Sequence, residues 1–257
     1  MKLHALSSPG RGVPAVLCAM FLALALSGCA TPRRPDGKVD IAAPAYDPYE
    51  KWNRKVFNFN MSLDKHVMKP VARTYIRVFP QWGRNMTRNF LDNIHTPVVL
   101  ANDVLQGESK RGTVTLGRFA INSTLGVGGL FDVAKTHFKL PEHDEDFGQT
   151  LAVWGTGGGV YLMLPLIGPS NPRDLTGRLI DYAFDPMTYV SWGNLWWVPP
   201  TRGAVDLVDA RSRNLTVLDD IEKTSIDFYA SVKSLHEQNR LGAIRNGKVN
   251  PNDLPDF

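Results

Sequence analysis

Apolar residues recur every three or four positions along most of the chain, a spacing typical of amphipathic helices. The first such stretch opens at Asp47-Pro48, where Asp47 suits an N-cap and Glu50 suits a capping box, and it should end before Pro70. Further helices are predicted over residues 96–107, 108–125, 144–154, 170–183 and from 201 onward. The nearest approach to a strand is the short apolar run 160–166. The pattern therefore predicts one all-α domain over residues 47–241.

The N-terminal residues have the organisation of an export signal. Lys2 and Arg11 precede an apolar run over residues 13–26, which is shorter than the ~20 residues that a transmembrane helix requires. The run ends in Leu26-Ser27-Gly28-Cys29, which resembles the cleavage site of lipoprotein signal peptides. We therefore expect residues 1–28 to be removed and Cys29 to carry acyl chains such as palmitate, which would anchor the protein to a membrane.

Composition refines this expectation. Residues 29–46 are polar and rich in Pro, which is typical of a flexible tether, and residues 242–257 have the composition of a disordered tail. Removal of residues 1–28 takes away two basic and no acidic residues, so a formal charge of +4 becomes +2. This near-neutral charge argues against nucleic acid as a partner. Cys18 would leave with the signal, and the mature chain would contain no disulfide.

Two features are unusual for a soluble helical bundle. Glycines cluster at 126–129 and at 155–159 within apolar surroundings. Aromatic residues are concentrated between Tyr182 and Trp197, and Trp and Tyr favour membrane interfaces because an apolar ring carries a polar group. We predict that Trp192, Trp196 and Trp197 lie at such an interface, although core packing is the alternative for each of them.

Familiar catalytic patterns are missing from the sequence. There is no G-x-S-x-G nucleophile elbow, and Ser170 is better interpreted as a helix cap. The acidic run 142–146 matches no zinc or EF-hand spacing and is predicted to be a solvated turn. The glycines of 155–159 are not followed by the Lys-Ser or Lys-Thr of a P-loop. We expect no catalytic residues, no metal and no cofactor, and hence a protein that is not an enzyme.

Several sequence motifs, occurring in order, resemble one family. They are 47–54 (DPYEKWNR), 57–60 (FNFN), 89–93 (NFLDN), 118–129 (RFAINSTLGVGG), 145–151 (EDFGQTL) and 164–170 (LPLIGPS). Over residues 46–230 the chain is similar to the MlaA/VacJ lipoproteins. The resemblance implies a ring of amphipathic helices around a central polar channel, embedded in the inner leaflet of the outer membrane and facing the periplasm.

The resemblance also implies a function. Such proteins remove mislocalised phospholipids from the outer leaflet and so maintain lipid asymmetry. They act beside trimeric outer-membrane porins and pass the lipid to the periplasmic carrier MlaC for retrograde intermembrane transport. A porin-associated structural or assembly lipoprotein that does not conduct lipid remains the alternative. The glycine clusters favour transport, since a rigid tether has no use for them.

Candidate channel residues follow from the motifs. We hypothesise that Gly155, Gly157, Gly158 and Gly159 form a flexible gate beside the channel, because glycine reaches φ values closed to other residues. Asn58 could face the polar lane while Phe59 packs or meets lipid. Arg118 and Asn122 share a helix face, and both could line the ring, although a structural salt bridge is the preferred role for Arg118.

Overall fold

A computed structural model describes residues 46–190 and 197–248. This part of the chain is mostly helical, with one small antiparallel hairpin. The helices are α1 Glu50–Leu63, α2 Lys69–Val78, α3 Gln81–Leu105, α4 Ser109–Thr124, α5 Val133–Thr136, α6 Phe147–Val153, α7 Pro172–Phe184, α8 Pro186–Val190, α9 Val198–Arg213, α10 Leu215–Thr224 and α11 Phe228–Ile244, and the strands are β1 Leu162–Leu164 and β2 Gly168–Ser170.

The start of α1 differs from the predicted capping box. The helix begins at Glu50 with Tyr49 at the N-cap, and the cap makes no side-chain hydrogen bond. The Asp47 carboxylate instead accepts hydrogen bonds from Asn53 at 2.8 Å and from the Tyr229 hydroxyl at 2.6 Å. A long-range contact with α11 has therefore taken the place of the local cap.

The helix α1 ends at Leu63, before Pro70 as predicted, but the helical backbone continues beyond it. A π-helical turn over Asp64–Met68 leads directly into α2, and Pro70 lies in the first turn of α2. Pro lacks an N–H, and the first turn of a helix is the place where that loss is tolerated. The Asp64 carboxylate in the π turn accepts two hydrogen bonds from Arg211 of α9, at 2.6 and 2.7 Å.

Pro97 was also predicted to start a helix, whereas it lies inside the 25-residue helix α3. Buried contacts on both sides of the proline outweigh its missing donor, since Leu91, Val98 and Val99 are all in the interior. The helix predicted over 108–125 is confirmed as α4. Asn171, rather than Ser170, caps α7 by accepting a hydrogen bond from the Asp174 amide.

Two asparagines on one face of α1 hold the β1 segment, where the apolar run 160–166 contains a short strand. Asn53 donates to the Tyr161 carbonyl at 3.1 Å and accepts from the Met163 amide at 2.9 Å. Seven residues further on, Asn60 pairs in the same way with the backbone of residues 164 and 166. These amides replace a neighbouring strand. The small apolar core beside them is formed by Val56, Phe57, Tyr161, Met163 and Tyr229.

The closest helix contact is between α6 and α7. A Cβ atom at Gly177 would lie 2.2 Å from the Gly148 backbone nitrogen, so only glycine permits this approach. Arg240 of α11 spans the pair through bidentate contacts to Asp146 and Asp174, at 2.5 to 2.9 Å.

The limits of the helical body differ slightly from those predicted. The Tyr46 carbonyl accepts a hydrogen bond from the Tyr161 amide, which joins the last residue of the expected tether to the body. The last helix extends to Ile244, so residues 242–244 are helical and do not belong to a disordered tail. Cys29, Trp192 and Trp196 lie outside the described residues. In residues 46–190 and 197–248, no helix has the length and apolarity needed to cross a bilayer.

Candidate functional site: a polar cavity between three helices

A cavity of about 560 Å³ lies among α3, α4, α9 and the loops that flank α5. Most of its lining side chains are polar or charged. The lining residues are Asn89, Leu91, Asp92, Asn93, His95, Thr96, Val99, Thr115, Arg118, Asn122, Asp132, Glu142, His143, Asp144, Arg202, Asp206, Ala210 and Arg213. Only three of these, Leu91, Val99 and Ala210, are apolar.

Each helix contributes a stripe of residues at helical spacing. On α9 the stripe is Arg202, Asp206, Ala210 and Arg213, at steps of four, four and three. On α4 it comprises Thr115, Arg118 and Asn122. Residues three or four apart share one helix face, so each of these helices turns one mainly polar face toward the cavity.

Crowded carboxyl groups give the cavity unusual electrostatics. Burial between the walls, and then the charge of Glu142, raise the pKa of Asp92 to about 7, although its surface remains open to the cavity. The negative charge of the neighbouring Glu142 disfavours ionisation of Asp92 and so favours its protonated form. Desolvation by the surrounding walls also raises the pKa of Asp144, although its side chain is 83% exposed, and the charge of His95 opposes the rise.

Arg118 has the structural salt bridge that the sequence suggested. Its guanidinium lies 3.0 Å from the Asp132 carboxylate and donates to the Leu140 carbonyl at 2.9 Å. Asn122 shares this face and donates to the same carboxylate at 3.0 Å, while its own oxygen accepts from the Ala134 amide. Both residues therefore line the cavity and also fix the loop into α5.

The prediction of a solvated acidic turn at 142–146 is wrong in part. Glu145 is fully buried, and its carboxylate accepts hydrogen bonds from Arg111 at 2.7 Å and Gln106 at 2.8 Å. Asp146 caps α6 by accepting from the Gln149 amide. Partners that are distant in sequence therefore satisfy a carboxylate that the local sequence had placed in an exposed acidic turn.

His143, Asp103 and Thr115 bring together the residue types of a hydrolase triad, but their geometry is unsuitable. The same imidazole nitrogen, Nε2, lies 3.0 Å from both Asp103 carboxylate oxygens and 3.1 Å from the Thr115 hydroxyl. A triad requires the carboxylate and the nucleophile on opposite ring nitrogens. The Thr115 hydroxyl also lies 2.5 Å from Asp103, so its proton is already engaged. This cluster is structural.

The distribution of polarity is the second property of the site. In the described part of the chain, 15 polar or charged residues are buried, against 13 hydrophobic ones. Large apolar side chains are instead prominent outside, with Trp52 65% exposed, Trp82 68% and Phe59 55%. Val67, Val71 and Val78 form an exposed stripe along the π turn and α2. Exposed apolar surface on this scale marks a lipid or protein interface.

The predicted site residues divide into two groups. Asn122 lines the cavity, whereas Asn58 is exposed on α1, with Phe59 beside it. None of Gly155, Gly157, Gly158 and Gly159 is a lining residue of this cavity. Trp197 is 51% exposed at the start of α9. The sequence reasoning missed Asn53 and Asn60, whose seven-residue spacing on α1 was the available signal.

Glycine conformation distinguishes the two clusters. Gly155 and Gly159 have φ values of +90° and +75°, which other residues rarely adopt. Gly129, with φ +93°, lies so close to α3 that a Cβ atom would be 2.4 Å from the Asn93 Cβ. The 126–129 cluster therefore serves helix packing, which weakens the idea that glycine clusters by themselves indicate transport. Within residues 46–190 and 197–248, no group of His, Cys, Asp and Glu could hold a metal ion.

Fold and site together define a helical protein with a polar cavity and with many large apolar side chains exposed on its surface. The family model for the MlaA lipoprotein matches residues 45–242. The chain therefore belongs to the MlaA lipoprotein family.

Similar proteins agree with this assignment. The intermembrane phospholipid transport system lipoprotein MlaA of Escherichia coli is 33% identical over 214 residues, which cover 82% of this chain and 83% of that protein. The protein of the same name from Haemophilus influenzae is 29% identical over 248 residues, covering 94% and 95%. A Rickettsia prowazekii protein is 37% identical over 203 residues, covering 78% of each chain.

A solved structure has the same fold. It comes from work on the structural basis for maintenance of bacterial outer membrane lipid asymmetry, and it superposes with a TM-score of 0.70 at 32% identity. The match covers 77% of this chain and 98% of the other.

Proposed function

We propose that this protein removes misplaced phospholipids from the outer leaflet of the outer membrane and passes them to a periplasmic carrier, so that lipid asymmetry is maintained. The observation that carries this proposal is the polar cavity inside a body that exposes many large apolar side chains. A lipid in transit needs a polar lane for its head group while its tails remain in apolar surroundings, and this arrangement supplies both. Relatives named for intermembrane phospholipid transport support the same function.

The helices around the cavity are proposed to form a ring that lies in the inner leaflet. The exposed stripe of Val67, Val71 and Val78, with Phe79 and Trp82 close by in sequence, would meet acyl chains. Polar stripes of α3, α4 and α9 would face the central channel. Burying these exposed apolar side chains in lipid would contribute roughly 25 cal/mol per Å² of apolar area removed from water.

Anchoring and partners complete the proposal. Acyl chains on Cys29 would hold the protein on the periplasmic side of the outer membrane, with residues 30–45 as the tether. A trimeric porin would be its neighbour in the membrane, and MlaC would be the soluble acceptor of lipid. Transport breaks no covalent bond, so the protein would need no catalytic residues and no cofactor for this function.

A gate is the remaining element. The segment from Gly155 to Gly159 joins α6 to β1. Both of its end residues have a left-handed backbone conformation that glycine adopts readily and other residues rarely adopt. We place the gate in this segment rather than in the tightly packed 126–129 turn.

The proposal is tested in a strain that lacks its own copy of this lipoprotein. Surface-exposed phospholipid is measured by palmitate transfer onto lipid A, with the strain complemented by the wild-type chain or by Cys29→Ala. We expect the wild-type chain to lower the signal and Cys29→Ala to leave it high. If the wild-type chain reaches the outer membrane and the signal does not fall, lipid removal is refuted, and a structural role beside porins becomes the better account.

A further inference from the structure

Acidic groups outnumber basic ones in the wall of the polar cavity. Among the described lining residues there are five carboxyl side chains and three guanidiniums. The carboxyl groups are Asp92, Asp132, Glu142, Asp144 and Asp206, and the guanidiniums are Arg118, Arg202 and Arg213. A cavity that carries mixed charge in this ratio discriminates among head groups by their charge.

Each guanidinium already faces a carboxylate. The pairs are Arg118 with Asp132 at 3.0 Å, Arg202 with Asp185 at 2.6 Å and Arg213 with Asp209 at 3.2 Å. Asp185 and Asp209 are not lining residues, yet they neutralise two of the three basic groups of the wall. A purely anionic head group therefore meets little uncompensated positive charge here.

The remaining carboxyl groups are less well compensated. Glu142 lies 3.6 Å from Lys135, an exposed pair, and Asp144 lies 3.7 Å from His95. Within the part of the chain that the structure describes, Asp92 and Asp206 have no basic nitrogen within ion-pair distance. Asp206 is exposed on the cavity face of α9. Burial and the charge of Glu142 raise the pKa of Asp92 to about 7, so this carboxyl is only partly ionised near neutral pH. The uncompensated negative charge of the cavity therefore lies on Asp206 of α9 and in part on Glu142 and Asp144 of the loop before α6.

We infer that the cavity selects phospholipids whose head group carries a primary ammonium, such as ethanolamine, over those with an anionic glycerol head group. This inference rests on the proposed transport function and adds its substrate preference. Carboxylates accept short, charge-assisted hydrogen bonds from an ammonium group, which has three donors. The same carboxylates repel a head group whose only charge is its phosphate.

The residues that line the cavity also disfavour a head group with a quaternary ammonium. Sites for choline are built from the rings of Trp, Tyr and Phe, and none of these residue types is among the described lining residues. A choline group also lacks the N–H donors that would satisfy Asp92 and Asp206. The expected order of preference is therefore ethanolamine, then choline, then glycerol.

The test uses the full-length lipidated chain, purified in mild detergent and incubated with vesicles that contain equal amounts of ethanolamine, choline and glycerol phospholipids with identical acyl chains. Mass spectrometry then quantifies the lipid that stays with the repurified protein. The variants are Asp206→Asn alone and combined with Asp92→Asn. The matched control is Asp220→Asn, which removes the same charge from an exposed position on α10, outside the cavity.

We expect the wild-type protein to enrich the ethanolamine lipid and Asp220→Asn to match it. Asp206→Asn should lower the ratio of ethanolamine to glycerol lipid on the order of fivefold, the effect of one ion pair at ~4 Å screened by water. The double variant should lower it further while the total bound lipid stays similar. If the double variant does not accumulate as folded protein, the lipid ratio measured with Asp206→Asn alone tests the inference, because Asp206 is exposed.

Two results would overturn the inference, and they differ in what they leave standing. Lipid bound in the vesicle ratio by both wild type and Asp206→Asn would refute selectivity and leave the transport function intact. An absence of bound lipid in the wild-type protein, together with unchanged surface-exposed phospholipid in the complemented strain, would refute both.

Discussion

The contact between α6 and α7 allows one stability prediction to be worked out in detail. In Gly177→Ala the new Cβ would lie 2.2 Å from the Gly148 nitrogen and 2.6 Å from its Cα. Both are backbone atoms, so no side-chain rotation relieves the overlap. The two helices must separate by roughly 1 Å to restore ordinary van der Waals contact. That movement would also strain Arg240, which is bonded to both elements.

The expected cost follows from two opposing terms. Overpacking of a tight interior costs about 1–3 kcal/mol, and a backbone overlap this short belongs at the upper end. Replacing Gly by Ala inside a helix stabilises the helix by up to ~1 kcal/mol, because Ala has the higher helix propensity. A net loss of about 2 kcal/mol should lower the melting temperature by roughly 4–8 °C for a chain of this size.

The assay is thermal unfolding of the full chain in detergent micelles, followed by circular dichroism at the helix band. Gly203→Ala in α9 is the matched control, because nothing lies within 4 Å of its added Cβ. This control should melt at or slightly above the wild-type temperature. If Gly177→Ala melts together with Gly203→Ala, the close approach does not constrain the fold and the reasoning fails.

Three further changes have expected outcomes. Burial alone would raise the pKa values of Asp146 and Asp174, but Arg240 lowers both. Arg240→Met should therefore lower the free energy of unfolding by about 3–5 kcal/mol near neutral pH. This contribution should disappear as the pH falls below ~4, which thermal unfolding at pH 7 and pH 3 measures. Because the pKa of Asp92 is raised to about 7 from its usual value of 3.8, its native state holds a proton that the unfolded state has lost, so stability should fall as the pH rises from about 4 to about 7. Asp92→Asn should remove this slope, which amounts to no more than ~1 kcal/mol because solvent screens the group. Gly158→Pro should impair lipid removal without loss of folded protein, measured as surface-exposed phospholipid, because an added Cβ atom at this position meets only the Asn171 side chain, at 3.4 Å or more.

Each of these expectations can be contradicted. Equal melting of Arg240→Met and wild type at pH 7 would mean that the buried pairs contribute nothing. A pH dependence that persists in Asp92→Asn would assign it to other groups. Normal outer-membrane integrity with Gly158→Pro would refute the gate, and Gly242→Pro, inside α11, serves as the comparison in which loss of folded protein is expected.

Local sequence signals were reliable where local interactions decide the structure. The helix over 108–125 and the shared face of Arg118 and Asn122 were both predicted, since periodicity and four-residue spacing act within a single helix. The signals failed at Asp47 and Pro97, where partners far along the chain outweighed local preference.

The candidate site shows the same division. The inward position of Asn122 was anticipated, but the importance of Asp92 and Asp206 was not. Glu145 was taken for a solvated charge, because its partner Arg111 lies 34 residues away. Local patterns identify polar faces, but they contain no information about which faces meet.

By itself, the sequence determined the helical character of the domain and its family, because helical periodicity and ordered motifs are properties of neighbouring residues. Only the tertiary structure decided that polar stripes on α3, α4 and α9 enclose a common cavity and that Trp52 and Trp82 remain outside. The physical reason is that burial and pKa depend on distances between groups that the chain separates by tens of residues. The excess of carboxyl groups in the cavity exists only once those helices pack.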